Sequence, residues 1–307
     1  MVYSSKMQLA TFRWFLNIIL AGIIFSNAEA GRLLGIQALP LHFSAVWPAT
    51  GFSLAALLLF GYRAWPGVFA GNLLYNTINL LVEGQGLFGP LCAALAITLG
   101  SLAQGLVGAY VMRTYASRGY FKDVKDVIIF LLGGGFFTCM IAATFGVMTF
   151  YIYGVLPTGS MLSTWLTFWF GDCMGVYIFT PLLIVWSLHK RRVHLEDYRI
   201  ETLAMIVVLV LGSTLFFYVR NYPPVYAFIP LSMWVSYRFG FYGATIVLLL
   251  ISGITIMTTI FGHGSFIYAY PQNPLLVLIM FLETTVFTAL FVAAIHNELE
   301  DARKMTA

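Results

Sequence analysis

Two carboxylates stand in this chain with apolar sequence on both sides. Asp172 lies within the run Phe168-Trp169-Phe170-Gly171-Asp172-Cys173-Met174-Gly175, which continues to Pro181, and Glu283 lies within the apolar stretch 274–296. A carboxylate at bilayer depth costs roughly 2.5–3.5 kcal/mol to insert, so it persists where it faces protein, water or a ligand. Such a pair can share a proton, hold a cation jointly, or pair with an arginine such as Arg238. Trp165, Trp169, Asp172 and Gly175 fall on one helical stripe, which places indoles beside the acid. Asn72, Asn76 and Asn79 recur at i, i+4 and i+7, so three amides share one face and turn from lipid toward a neighbouring helix or a ligand. The motif Trp47-Pro48-Ala49-Thr50-Gly51 interrupts another apolar segment, either as a packing kink or as a break whose free carbonyls line a cavity.

Catalysis finds little support in the same residues. An intramembrane aspartyl protease wants Gly-x-Gly-Asp, but Trp169 stands where the first glycine belongs, and Ser252-Gly253 has no membrane-embedded histidine beside it. Cys92, Cys139 and Cys173 all fall in apolar segments without metal-ligand spacing. Gly133, Gly134 and Gly135 suit close helix packing better than phosphate binding. No catalytic residue, metal or cofactor is therefore expected.

These side chains must be positioned by membrane helices. The 307 residues are 60% hydrophobic and only 9% charged, against about 25% charged in soluble domains. Counting apolar stretches of about 20 residues predicts an all-α polytopic transmembrane helix bundle with ten spans. They are 13–30, 43–61, 65–82, 88–112, 126–153, 161–188, 201–219, 223–237, 241–261 and 274–296. Pro223, Pro224 and Pro230 shorten the eighth, Pro181 is expected to kink the sixth, and Gly171 with Gly175 offers the sixth a close helix contact.

The loops give an independent check. With the N-terminus cytoplasmic, ten spans place every one of the 16 Lys and Arg residues inside except Arg32 and Arg220, and both termini are cytoplasmic. Losing one internal span would scatter that asymmetry. The formal charge of +4 then reflects membrane orientation, not nucleic-acid binding. The outer loops are too short to build an extracytoplasmic domain, and the amphipathic residues 31–42 suit the outer interface. Ala28-Glu29-Ala30 has the small-x-small form of a signal-peptide cleavage site, but an uncleaved first span shows the same charge order. The membrane domain is thus taken as 1–296, with 297–307 a charged continuation able to run into the cytoplasm as a helix.

The ordered motifs resemble the membrane-associated sensor domain of the first class, the MASE family. They are Trp47-Pro48-x-x-Gly51, Gly61-Tyr62-Arg63-x-Trp65-Pro66-Gly67, Gly71-Asn72, Trp169-Phe170-Gly171-Asp172-x-x-Gly175 leading to Pro181-Leu182, and Trp234-x-x-x-Arg238-x-Gly240-x-x-Gly243. The resemblance implies a bacterial inner-membrane signal-input domain, not itself catalytic, placed before a histidine kinase or a cyclic-di-GMP enzyme. The chain ends at Ala307, so the expected cytoplasmic output domain or partner kinase lies outside it.

Sensing is the favoured expectation: a small molecule or membrane partner engages Asp172, Asn72 and the Trp47-Pro48 break within surrounding lipid and shifts the last span. The expected ligand-binding or signalling set is Asp172, Glu283, Asn72, Asn76, Trp47, Trp169 and Arg238, supported by Pro48, Gly51, Gly171, Gly175 and Pro181. A homodimer is the expected assembly. Ten spans with a proline-broken helix and midplane carboxylates also suit a small-solute or proton-coupled transporter, and a structural subunit of a larger membrane complex is the third reading.

Overall fold

Apolar runs this long must satisfy their backbone groups internally, and here they do so as helices. The computed structural model describes residues 2–36, 43–83, 88–188, 207–208, 210–212, 224–263, 265–269 and 274–306. Among the described residues the architecture is a helix bundle, with one short antiparallel ladder pairing Gly35–Ile36 with Phe43–Ser44. The helices are α1 (Val2–Leu33), α2 (Pro48–Phe60), α3 (Trp65–Glu83), α4 (Phe88–Tyr115) and α5 (Val124–Ile129). A π-helical segment, Phe130–Phe136, joins α5 to α6 (Phe137–Ile152). The remaining helices are α7 (Met161–Leu188), α8 (Phe228–Ile260), α9 (Ser265–Ala269) and α10 (Pro274–Thr306).

Six stretches among the described residues are long and apolar enough to cross a bilayer: Arg13–Leu33, Phe88–Tyr115, Val124–Ile152, Thr158–Leu188, Val225–Ile260 and Pro274–Met305. The ten-span expectation is met only in part. Span 201–219 lies outside the described residues apart from 207–208 and 210–212. The third expected span appears as α3, 19 residues long and less apolar because of its asparagines. The eighth and ninth spans fall together in α8, which leaves helical geometry at Gly240 with φ 60° and ψ −148°. Tyr226 before this break and Phe266 after it both pack on Phe281 of α10, whereas Tyr237 packs on His296. The chain therefore travels along α10, reverses at Gly240 and returns.

The second expected span needs a correction. Trp47-Pro48 does not break a membrane-length helix; it begins a short one of 13 residues. Trp47 is extended, with φ −109° and ψ 91°, and Pro48 opens α2. Proline disfavours helical geometry in the residue before it, and its missing N–H costs nothing in a first turn. The expected kink at Pro181 is not drawn as a break, since α7 stays helical from Met161 to Leu188.

Glycines let the start of α2 press into α7. The Trp47 amide donates to the Gly171 carbonyl at 2.9 Å. A Cβ on Gly171 would sit 2.8 Å from the Ser44 oxygen, one on Gly175 would collide with the Trp47 carbonyl, and one on Gly51 with the Gly175 carbonyl. Thr180 Oγ1 donates to the Gly51 carbonyl at 3.0 Å. Backbone thus meets backbone along this crossing, as small-residue pairs allow between membrane helices.

One end of the bundle collects the basic turns. Asn17 reaches from α1 to the Arg63 carbonyl and accepts the Gly67 amide. Arg113 donates to the carbonyls of Leu57 and Leu58 and lies over the Tyr62 ring. Asp126, fully buried, accepts from the amides of Ser117 and Lys122. That clamp holds the turn in which Tyr120 and Phe121 take positive φ, and burial raises the Tyr120 hydroxyl above the usual phenol range. Glu298 of α10 accepts the Val124 amide at 2.9 Å, which fixes the end of the last helix to the same region.

Candidate functional site

The seam between α2 and α7 opens on one side into a cavity of about 160 Å³. A single water needs roughly 10–15 Å³ on such a measure, so a molecule of several non-hydrogen atoms fits. Its walls include Asp172, Gly171 and Phe168 of α7, Trp47 before α2, Asn72, Tyr75, Asn76 and Asn79 of α3, Ser101 of α4, and Arg32 at the end of α1. Arg32, Asn79, Phe150 and Thr167 come from the helix ends opposite to those that gather the basic turns. The cavity therefore occupies the half of the bundle remote from those turns.

Each wall residue has a local reason for its position. Asp172 accepts the Thr50 hydroxyl at 2.7 Å. Thr50 lies in the first turn of α2 with its amide donating to the Trp47 carbonyl at 3.3 Å, so its hydroxyl is the group that meets the acid. Trp47 is wedged between α1 and α3, with a Cβ on Gly31 landing 2.8 Å from its ring and Tyr75 meeting it edge-on at 5.7 Å. The amides of Asn72 and Asn79 donate back to Val68 and Tyr75 carbonyls one turn earlier, and Asn76 crosses to Thr98 of α4. A hollow of about 10 Å³ adjoins the cavity behind Trp47, Asn72 and Ser101; it includes Gln104, whose buried Oε1 has no hydrogen-bond partner among the described residues.

Of the residues singled out in the sequence, Asp172, Trp47, Asn72 and Asn76 meet in this cavity, with Gly171 in its wall. Pro48, Gly51 and Gly175 build the crossing beneath it. Trp169 turns away, donating its indole N–H to the Phe136 carbonyl at 2.7 Å and stacking among Trp165, Phe136 and Phe170. Glu283, on α10, neighbours a different face of α7, with Cys173 and Tyr177 as electrostatic neighbours, and among the described residues no hydrogen bond or ion pair joins it to Asp172. Arg238 lies two residues before the Gly240 reversal, beside the α10 end marked by Tyr237 and His296. Pro181 is buried inside α7, nine positions beyond Asp172.

Sequence reasoning passed over Arg32, Ser44, Tyr75, Ser101 and Thr167, and it saw Thr50 only as part of a motif. Hydroxyl side chains in helices commonly bond their own preceding carbonyls, as Ser101 does to Ile97 and Thr167 to Ser163, so residue type alone carries no signal. Asn79 was visible on the amide stripe. Arg32 was visible through its spacing from Glu29, with which it forms a two-point ion pair.

Bundle and cavity together define a multi-pass helical membrane protein with room for a small molecule inside it. The MASE1 family model matches residues 16–300, and the chain belongs to that family, a membrane sensor domain that serves as an input module and is not itself catalytic. Comparisons with curated proteins and with solved structures return no match.

Proposed function

We propose that the chain receives a signal in the Asp172 cavity and passes it through α7 to α10, which drives a cytoplasmic histidine kinase or cyclic-di-GMP enzyme. The observation that carries this reading is the position of Asp172. It lies on a helix that both lines the cavity and packs on α10, where Tyr177 meets Phe287 at 6.1 Å. A ligand that alters the α2–α7 seam acts directly on that contact. α10 runs as one helix from Pro274 to Thr306, a stiff lead out of the bundle, and the Glu298 bond to Val124 is the contact its movement would make or break. Switching requires only that the ligand bind one arrangement better; a tenfold preference is about 1.4 kcal/mol.

The reading includes ten spans with both termini cytoplasmic in a bacterial inner membrane, residues 297–307 as the start of the signalling helix, and a homodimer as the working unit. The clustering of the 61–67 turn, the 115–124 loop and Glu298 at one end supports that orientation. The experiment is a reporter output joined after Lys304, read with and without the stimulus. Asp172→Asn and Glu283→Gln should shift basal or stimulated output; if both leave it unchanged, the carboxylate-centred route is wrong. Sustained solute flux in liposomes would replace sensing with transport.

A further inference from the structure

The cavity wall has an unusual hydrogen-bonding balance. Asn72 and Asn79 each spend one of their two amide N–H groups on a backbone carbonyl, at 2.9 Å and 3.0 Å, and their oxygens are left to accept. Ser44, Ser101 and Thr167 each spend their hydroxyl proton on a carbonyl, of Val46, Ile97 and Ser163, which leaves lone pairs but no donor. Thr50 spends its proton on Oδ1 of Asp172, and Oδ2 of that carboxylate has no hydrogen-bond partner among the described residues. Arg32 is matched by Glu29 through two contacts, which offsets its charge at the rim. Aromatic rings of Trp47, Tyr75, Phe150 and Phe168 complete the wall.

A wall rich in acceptors, with one carboxylate and several ring faces, is complementary to a small cation that carries its own donors or a polarised alkyl shell. An anion would meet the charge of Asp172, while the Arg32 charge at the rim is already offset by Glu29. From this balance we propose that the cavity binds a small organic ammonium ion, with Asp172 as its counter-ion and the Trp47 and Tyr75 rings against its alkyl groups. This deepens the sensor reading and rests on it only for the consequence of binding, not for binding itself. The same ammonium chemistry is found in free amines and in the head group of an amine-bearing lipid.

The test uses the full chain in nanodiscs of phosphatidylglycerol, which has no ammonium group, with binding read by calorimetry. Choline and ethylammonium should bind, and 3,3-dimethylbutan-1-ol, the uncharged carbon analogue of choline, should bind at least tenfold more weakly. That comparison needs no variant and survives any folding defect. Asp172→Asn should weaken choline about 10- to 100-fold, as loss of a buried counter-charge does, with Asp172→Glu recovering part of it. Adding phosphatidylethanolamine discriminates the sources: competition with choline assigns the site to a lipid head group, and no competition assigns it to a soluble amine. Equal binding of choline and its neutral analogue, displacement of choline by sodium alone, or no binding of either cation overturns the proposal. If the cations fail while Asp172→Asn still alters the reporter, the ligand class falls and the sensor reading stands.

Discussion

Replacing Gly175 by alanine should open the seam on which the cavity rests. The added Cβ would lie 2.7 Å from the Trp47 carbonyl carbon, with the carbonyl oxygen closer still. Unbonded carbons rest at about 3.5–4.0 Å, so the two backbones must part by roughly 1 Å. The Trp47–Gly171 hydrogen bond, now 2.9 Å, would then exceed bonding distance. Overpacking costs about 1–3 kcal/mol, a lost buried hydrogen bond about 1 kcal/mol, and alanine returns about 0.5–1 kcal/mol of helix preference. The net is a destabilisation of about 1–3.5 kcal/mol. Gly253→Ala is the control: it too lies inside a helix, but its Cβ would meet nothing within 4 Å. Thermal unfolding of the purified protein in detergent, followed by tryptophan emission, should show Gly175→Ala melting lower by roughly 2–5 °C, with Gly253→Ala at or above wild type. Equal melting temperatures for the two variants would refute the argument that close backbone approach sets these glycines.

Three further outcomes follow from buried polar contacts. Tyr177→Phe removes the hydroxyl that donates to the Leu131 carbonyl at 2.7 Å; losing that buried hydrogen bond should cost about 0.5–1.5 kcal/mol, measurable in the same melt. Asp126→Asn turns one accepting oxygen into a donor opposite the Ser117 and Lys122 amides, and hydrogen exchange of residues 115–124 should quicken while that of α7 is unchanged. Glu298→Ala removes the side chain that accepts the Val124 amide; exchange at the start of α5 should rise and basal output of the reporter should shift, whereas Asp301→Ala, an exposed position one turn on, should leave both as they were.

Much of the bundle could be read from one-dimensional pattern. Apolar run length and scarce charge determine membrane helices, because an unpaired backbone amide in lipid costs more than any side-chain preference. The ordered Trp, Pro, Gly and Asp motifs sufficed for the family resemblance that the match across residues 16–300 bears out. The cost of a carboxylate in lipid was enough to single out Asp172, and the three-amide stripe enough to point at α3.

What the sequence could not determine is which polar faces meet. Trp169 shares a helical stripe with Asp172, yet it serves the packing of α6 because its indole reaches the Phe136 carbonyl. Glu283 has the same chemistry as Asp172 but faces Cys173 and Tyr177 on the other flank of α7. Pro48 looked like a break and is a beginning, since the residues before it leave helical geometry to cross Gly171 and Gly175. Insertion cost depends on residue type and depth and is legible along the chain. The pairing of Thr50 with Asp172, 122 positions apart, depends on helix rotation and on where glycines let backbones touch, and only the tertiary structure decides those.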